Sequence, residues 1–100
     1  MKTSIEFLGE DVNLELTASQ YPNGRLAIVA FDLVDGCRFG TLTVNVPEVE
    51  LDEGEIIVKT YSDNEGWVPQ VLKNLSEHFI PIGKEVNLGY VTVPIYKFSE

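Results

Sequence analysis

The chain has 100 residues, a formal net charge of −9 at pH 7 and a single cysteine. This length suits one compact domain, residues 1–100, which can bury a core without disulfide bonds. The large negative charge argues against direct binding to nucleic acid or to a membrane surface, because phosphate groups would repel it.

The first half of the chain predicts an antiparallel meander of short strands. Polar and apolar residues alternate along the strands, and turn signals rich in glycine, asparagine and aspartate separate them. The predicted strands are residues 4–8, 12–18, 26–33 and 39–46, and the turns are residues 9–11, 21–24 and 35–36. We expect a sheet with one buried face.

The turn at residues 21–24 sets which residues of its two flanking strands face each other. Closed as a two-residue turn on Pro22 and Asn23, it places Leu16 opposite Val29, and the next possible two-residue turn keeps the same buried face. A three-residue loop would instead set Asp32 against Leu14. We therefore predict a two-residue turn, with Val29 opposite Leu42 in the following hairpin. The predicted core residues of this sheet are Val29, Phe31 and Leu42.

Residues 61–79 predict the one helix of the chain. Its apolar residues recur at steps of one, three and four, which places them on one face. Ser62 and Glu65 have the spacing of a capping box, and Asn64 is a rival cap. Pro69 is tolerated only in the first turn, which favours a start at Asn64 or later with an irregular opening around Gly66 and Trp67. The predicted buried face is Trp67, Val68, Val71, Leu72, Leu75 and Phe79, and the opposite face is Gln70, Lys73, Asn74 and Glu77.

The segments around this helix complete the predicted fold. A β-branched strand at residues 55–61 precedes it, a loop with at most a short strand follows at residues 80–88, and a last strand covers residues 90–96. Pro94 cannot donate to a ladder and predicts an edge position or an unpaired side for that last strand. The pattern indicates an α+β domain, in which one amphipathic helix packs on one face of a mostly antiparallel sheet of five or six strands.

Two stretches resemble a known family. They are TLTVNVPEVELDEGEIIVKTYSDNEG at residues 41–66 and GYVTVPIYKF at residues 89–98. The chain resembles an uncharacterised family of small acidic bacterial proteins encoded largely on phages, plasmids and conjugative elements. The resemblance covers most of the chain and implies a genomic setting but no activity. Pro69 departs from the family, whose members continue here with helix formers.

Seven acidic residues lie between residues 48 and 65, against the single base Lys59. They are Glu48, Glu50, Asp52, Glu53, Glu55, Asp63 and Glu65. One interpretation is an anionic surface that docks on a basic groove of another protein, since clustered charge steers association. The commoner alternative is a solvated connection that only keeps a sheet edge soluble.

The chain offers few residues for catalysis or metal binding. Three carboxylates at residues 48, 50 and 52 alternate as strand residues do, but they lack the order of a calcium-binding loop. With one histidine, His78, and one cysteine, Cys37, a transition-metal site or a nucleophilic triad lacks its usual ligands and partners. We expect no cofactor, a helix-capping role for His78 and an ordinary turn thiol at Cys37.

We therefore predict a non-enzymatic acidic binding protein of a mobile genetic element, which inhibits a basic host defence protein such as a nuclease. One alternative is a structural or accessory homo-oligomer, for example a dimer paired through an edge at residues 91–95. The other is a small hydrolase or metal-dependent enzyme. A cytoplasmic location is expected, because no apolar run approaches the ~20 residues of a membrane span and no signal peptide is evident.

Overall fold

The computed structural model describes all 100 residues and contains seven β-strands, a 3-10 helix and one α-helix. The strands are β1 (Lys2–Phe7), β2 (Glu10–Gln20), β3 (Leu26–Asp32), β4 (Arg38–Thr41), β5 (Glu55–Ile57), β6 (Phe79–Asn87) and β7 (Thr92–Phe98). The 3-10 helix is Ser62–Gly66, and α1 is Val68–Asn74. The α+β class is confirmed. The single sheet of five or six strands is wrong in detail, because the strands form two antiparallel sheets in the orders β1-β2-β3-β4 and β5-β7-β6.

Residues 42–44 join the two sheets. The Leu42 N–H donates to the Ile28 carbonyl of β3, whereas the Leu42 carbonyl accepts from the Lys59 N–H beyond β5. Thr43 forms an isolated bridge with Val58. The chain after β4 therefore passes from one sheet to the other, and the two sheets enclose a common core.

The main core lies between the two sheets and α1. Trp67, Val71 and Leu75 are buried there, and Leu72 is half-buried against them. The other buried members come from both sheets and from the start of α1, and they are Ile5, Leu14, Leu16, Ile28, Ala30, Leu42, Ile56, Val58, Val68, Phe79 and Phe98. Gly40 lets the Trp67 ring approach the sheet, since a Cβ at Gly40 would lie 2.7 Å from Trp67 Cζ2.

The predicted register of the β2–β3 hairpin is wrong by one residue. Leu14 faces Asp32 and Leu16 faces Ala30. The hairpin closes through the Tyr21 N–H and the Arg25 carbonyl around a three-residue loop, with Gly24 at a φ of 85°. Such a loop requires a residue with positive φ at its end, and glycine provides it without strain.

The shifted register reverses the two faces of β3. Ile28 and Ala30 face the main core, whereas Val29 and Phe31 lie on the outer face of the sheet. Val29 is nevertheless only 9% exposed and Phe31 is half-buried. Because β3 is apolar on both faces, alternation could not show which side is buried. The β3–β4 hairpin is also shifted by one residue, with Val29 opposite Thr41, and this keeps Leu42 in the core.

The helical region is much shorter than predicted. The 3-10 helix and α1 are separated at Trp67, whose φ of −134° is not helical, and α1 has only seven residues. Pro69 lies in the first turn of α1, where its missing N–H has no helical partner to lose. Neither helix has a side-chain cap, so the predicted capping roles of Ser62 and Asn64 are wrong.

The C-terminal strands also differ from the prediction. The nine-residue strand β6, Phe79–Asn87, occupies most of residues 80–88, which were predicted as a loop with at most a short strand, and it includes the predicted last residue of the helix. Its register shifts between Pro81 and Lys84, and this irregularity hides the strand in the sequence pattern. β7 is the central strand of its sheet, and Pro94 lies within it, so neither the predicted edge position nor a dimer through that edge is supported. No helix has the length and apolar character needed to cross a bilayer.

Candidate functional site

The acidic loop, residues 46–54, contains four of the seven predicted surface acids. It begins after the junction between the sheets and ends at β5. Two turns order it. The Val49 N–H donates to the Val46 carbonyl over 3.1 Å, and the Glu55 N–H donates to the Asp52 carbonyl over 3.0 Å. Gly54 has a φ of 83°, which a residue with a side chain rarely adopts. The loop is irregular, but its backbone groups are partly paired.

Apolar side chains on one side of the acidic loop cover the second sheet. Val46, Val49 and Leu51 pack, together with Val44 before the loop, against a small cluster on the face of the sheet away from the main core. The cluster, which we call the outer cluster, is Ile57, Val86, Val93 and Ile95. The acids between these apolar residues are exposed. The loop is therefore an amphipathic cover, with an apolar inner side and an acidic outer side.

Arg25, next to the β2–β3 turn, is hydrogen-bonded to the backbone of the acidic loop. Its guanidinium donates to the carbonyls of Val46, at 2.7 Å, Pro47, at 3.3 Å, and Val49. These acceptors belong to the backbone, so Arg25 fixes the loop without pairing with any of its carboxylates. A planar guanidinium with five donors can satisfy several carbonyls at once, which a lysine ammonium cannot do in the same geometry.

Glu55 does not belong to the exposed acidic surface. Its side chain is only 9% exposed, one oxygen accepts from the Asp52 N–H at 2.9 Å, and the other lies 3.3 Å from Lys84 Nζ. The hydrogen bond from the Asp52 N–H, opposed by burial and assisted by Lys84 and Lys97, lowers the pKa of Glu55 below its ordinary value. Asp52 Oδ2 shares the same lysine at 3.8 Å. Glu55 is thus a structural carboxylate at the start of β5.

The remaining acids lie in two separate places. Glu48, Glu50 and Glu53 are exposed on the acidic loop and form no ion pair or side-chain hydrogen bond. Asp63 and Glu65 are exposed on the 3-10 helix. Asn64, only 5% exposed, anchors that helix by donating to the carbonyls of Thr41 and Lys59. The acidic loop precedes β5 and the 3-10 helix follows it, so the two groups of acids lie at opposite ends of the β5 segment.

No group of three or more histidine, cysteine, aspartate or glutamate side chains is placed to hold a metal ion. An open cleft of about 440 Å³ beside the acidic loop includes Asp52, Glu53 and Glu55 in its wall, but two of these share Lys84. His78 lies beyond the end of α1, so it is no helix cap, and its Nδ1 is 2.8 Å from the Ser99 carbonyl oxygen. Cys37 is exposed in the β3–β4 turn.

An aromatic pair lies at the β6–β7 hairpin, where sequence reasoning did not expect a site. The rings of Tyr61 and Tyr90 meet edge to face, with centroids 6.0 Å apart and planes at 89°. Tyr61 packs against the outer cluster, and Lys59 Nζ lies 5.4 Å from the centroid of its ring. Burial, together with Tyr90, raises the pKa of Tyr61. Tyr90 is 78% exposed. Its position directly after Gly89, at a hairpin tip, is the sequence signal that could have predicted this exposure.

Comparison with known proteins adds no relative. The chain matches no protein-family model, and neither the curated proteins nor the solved structures searched include a match. The resemblance to a family carried on mobile elements stays a prediction.

Proposed function

We propose that the chain is a non-enzymatic binding protein that docks the acidic loop on a basic surface of another protein. The observation that carries the proposal is the fixed display of Glu48, Glu50 and Glu53. The loop that bears them is held by Arg25 and by its own apolar side chains, and no base of the chain pairs with these three carboxylates. Free carboxylates on a fixed backbone attract a cationic partner without first having to break an internal ion pair.

The resemblance to proteins of phages, plasmids and conjugative elements supports a partner in the host cell. A host defence nuclease has a basic surface where it binds nucleic acid, and an anionic protein surface competes for it. We therefore propose inhibition of such a protein as the biological role, in the cytoplasm, where the nuclease and its substrate meet.

A charge-matched pair of variants tests the proposal. The loop variant Glu48→Gln/Glu50→Gln/Glu53→Gln removes three free acids. The control variant Glu10→Gln/Asp11→Asn/Glu100→Gln removes three exposed acids elsewhere that also form no ion pair. Both change the net charge equally, so a difference between them reports the position of the charge.

The measurement is capture of basic proteins from a bacterial lysate by the immobilised chain, at about 0.05 M and about 0.5 M salt. The wild type and the control variant are expected to capture the same basic protein at low salt and to release it at high salt. The loop variant is expected to capture far less. Equal capture by both variants, or capture that salt does not change, would refute the role of the acidic loop.

A further inference from the structure

We propose that the Tyr61–Tyr90 pair is the anchor of this interface and receives an arginine side chain of the basic partner. The inference rests on the proposed function and adds to it the chemistry of the partner. It predicts that the chain distinguishes arginine from lysine, which an acidic surface alone does poorly.

The backbone of the β6–β7 hairpin holds Tyr90 out from the fold. The Leu88 N–H donates to the Val91 carbonyl over 2.8 Å, and the Gly89 N–H donates to the Asn87 side chain over 2.7 Å. Gly89 has a φ of 99°, a conformation in which glycine is unstrained. A large ring that is 78% exposed on an ordered tip loses little conformational freedom when a partner covers it. Tyrosine is enriched at the centres of protein interfaces for this reason.

The geometry of the two rings suits a cation. Because their planes are perpendicular, one ring uses its edge against the other, and Tyr90 keeps an open surface toward solvent. The negative face of an aromatic ring attracts cations. The chain already uses this attraction, since the Lys59 ammonium lies over the Tyr61 ring. A cation of the partner on the Tyr90 ring would make the same kind of contact that Lys59 makes with the Tyr61 ring.

The aromatic pair and the acidic loop lie over the same face of the second sheet. Tyr61, Leu88 and Val91 pack against the outer cluster, and so do the apolar side chains of the acidic loop. A partner that covers this face of the sheet therefore meets both the acidic loop and the tyrosine pair. Acids next to an exposed aromatic ring complement an arginine-rich segment, because some arginines pair with the carboxylates while another stacks on the ring.

Arginine fits this site better than lysine for a physical reason. The guanidinium group is planar and weakly hydrated, so it stacks on a ring without losing a tight water shell. The lysine ammonium is compact and strongly hydrated, and it binds the carboxylates mainly as a point charge. The preference for arginine should therefore depend on Tyr90, whereas the total affinity should depend on the acidic loop.

The test uses fluorescein-labelled oligo-arginine and oligo-lysine peptides of equal length, with dissociation constants measured by fluorescence anisotropy at low salt. The wild type is expected to bind oligo-arginine about two- to fivefold more tightly than oligo-lysine, as an exposed cation–π contact gives. Tyr90→Leu should remove this preference and Tyr90→Phe should keep it. Leu8→Ala, at an exposed apolar residue on another hairpin tip, is the control and should change nothing.

The outcomes separate the two proposals. The loop variant Glu48→Gln/Glu50→Gln/Glu53→Gln should weaken both peptides equally and leave their ratio unchanged. If it weakens both while Tyr90→Leu keeps the arginine preference, or if the wild type shows no preference, the tyrosine anchor is refuted and the acidic surface stands. If neither peptide binds, or the loop variant binds as the wild type does, the proposed function fails and the anchor fails with it. Circular dichroism of each variant checks that it is folded.

Discussion

Replacing Gln70 by alanine should destabilise the fold and open a sheet edge. β1 is the edge strand of the first sheet, and Gln70 of α1 pairs with its backbone. The side-chain oxygen accepts from the Glu6 N–H at 2.9 Å, and the side-chain nitrogen donates to the Glu6 carbonyl at 2.7 Å. One amide thus pairs with both backbone groups of an edge residue, as a neighbouring strand would. Asn74, one turn later, donates to the Ser4 carbonyl at 2.9 Å.

The size of the effect follows from the bonds that are lost. Gln70 makes the two bonds to Glu6 and a third, of 2.8 Å, to the Gly66 carbonyl. Each such bond contributes about 0.5–1 kcal/mol net, because water replaces it in the unfolded chain, so Gln70→Ala should cost about 1.5–3 kcal/mol. For a domain of this size the melting temperature should fall by at least about 6 °C. The substitution Asn74→Ala should cost less, since it removes fewer bonds.

Thermal unfolding followed by circular dichroism measures the loss, and sedimentation velocity across a range of concentrations measures the open edge. Gln70→Ala should associate as its concentration rises, because an unprotected edge strand pairs with other chains. The matched control is Lys73→Ala, an exposed residue of the same helix with no side-chain bond. If the Gln70 variant melts within about 1 °C of the control and stays monomeric where the wild type does, the edge-covering role is wrong.

Three more changes test other parts of the fold. Gly40→Ala should lower the free energy of unfolding in urea by about 1–3 kcal/mol, because its Cβ is forced against Trp67. In a Trp67→Phe background the loss should be smaller, and additive effects of the two changes would contradict the clash. Glu55, whose pKa is lowered chiefly by the Asp52 N–H, stabilises the fold when ionised, and this stabilisation is lost as the pH falls through the lowered pKa. The melting-temperature difference between wild type and Glu55→Gln should therefore shrink between about pH 5 and pH 3, and a constant difference would exclude this role. Arg25→Met should speed cleavage of the acidic loop by a glutamate-specific protease, seen by mass spectrometry, whereas an unchanged rate would show that the loop is held without it.

Local chemistry predicted the strands better than their pairing. Alternation and turn residues placed the first three strands within a few residues, because both signals act over short distances. The register depended on whether the β2–β3 loop has two or three residues, and the Asn23-Gly24 pair is compatible with both. β3 could not decide between them, since Ile28 and Val29 are equally apolar. When both faces of a strand are apolar, a shift of the register by one residue still places apolar side chains in the core.

The helix shows a different limit of sequence patterns. Its apolar face was correctly placed toward the core at Trp67, Val71 and Leu75, because helical periodicity reports burial directly. The polar residues were placed on the opposite face with no predicted contact, yet Gln70 pairs with a strand edge. Periodicity separates polar from apolar residues, but it cannot separate a polar side chain bonded to water from one bonded to distant backbone. The length also failed at the end of the helix, since nothing in the pattern marks the change to strand at Phe79, whereas Pro69 did indicate the irregular start around Trp67.

The same distinction applies to the acidic cluster and decides how much of its charge can act on a partner. Counting acids along the sequence treats Glu55 and Glu50 alike, but the fold buries the first beside Lys84 and leaves the second free. The difference arises because Glu55 starts a strand of a buried sheet, whereas Glu50 alternates with Val49 and Leu51 on a loop that covers that sheet. An acid between two apolar residues that pack inward points outward, and its position is then fixed by their packing. The carboxylate of Glu50 is therefore positioned by the outer cluster that also supports Tyr61, so a substitution that loosens this cluster should weaken partner binding at both the acidic loop and the aromatic pair.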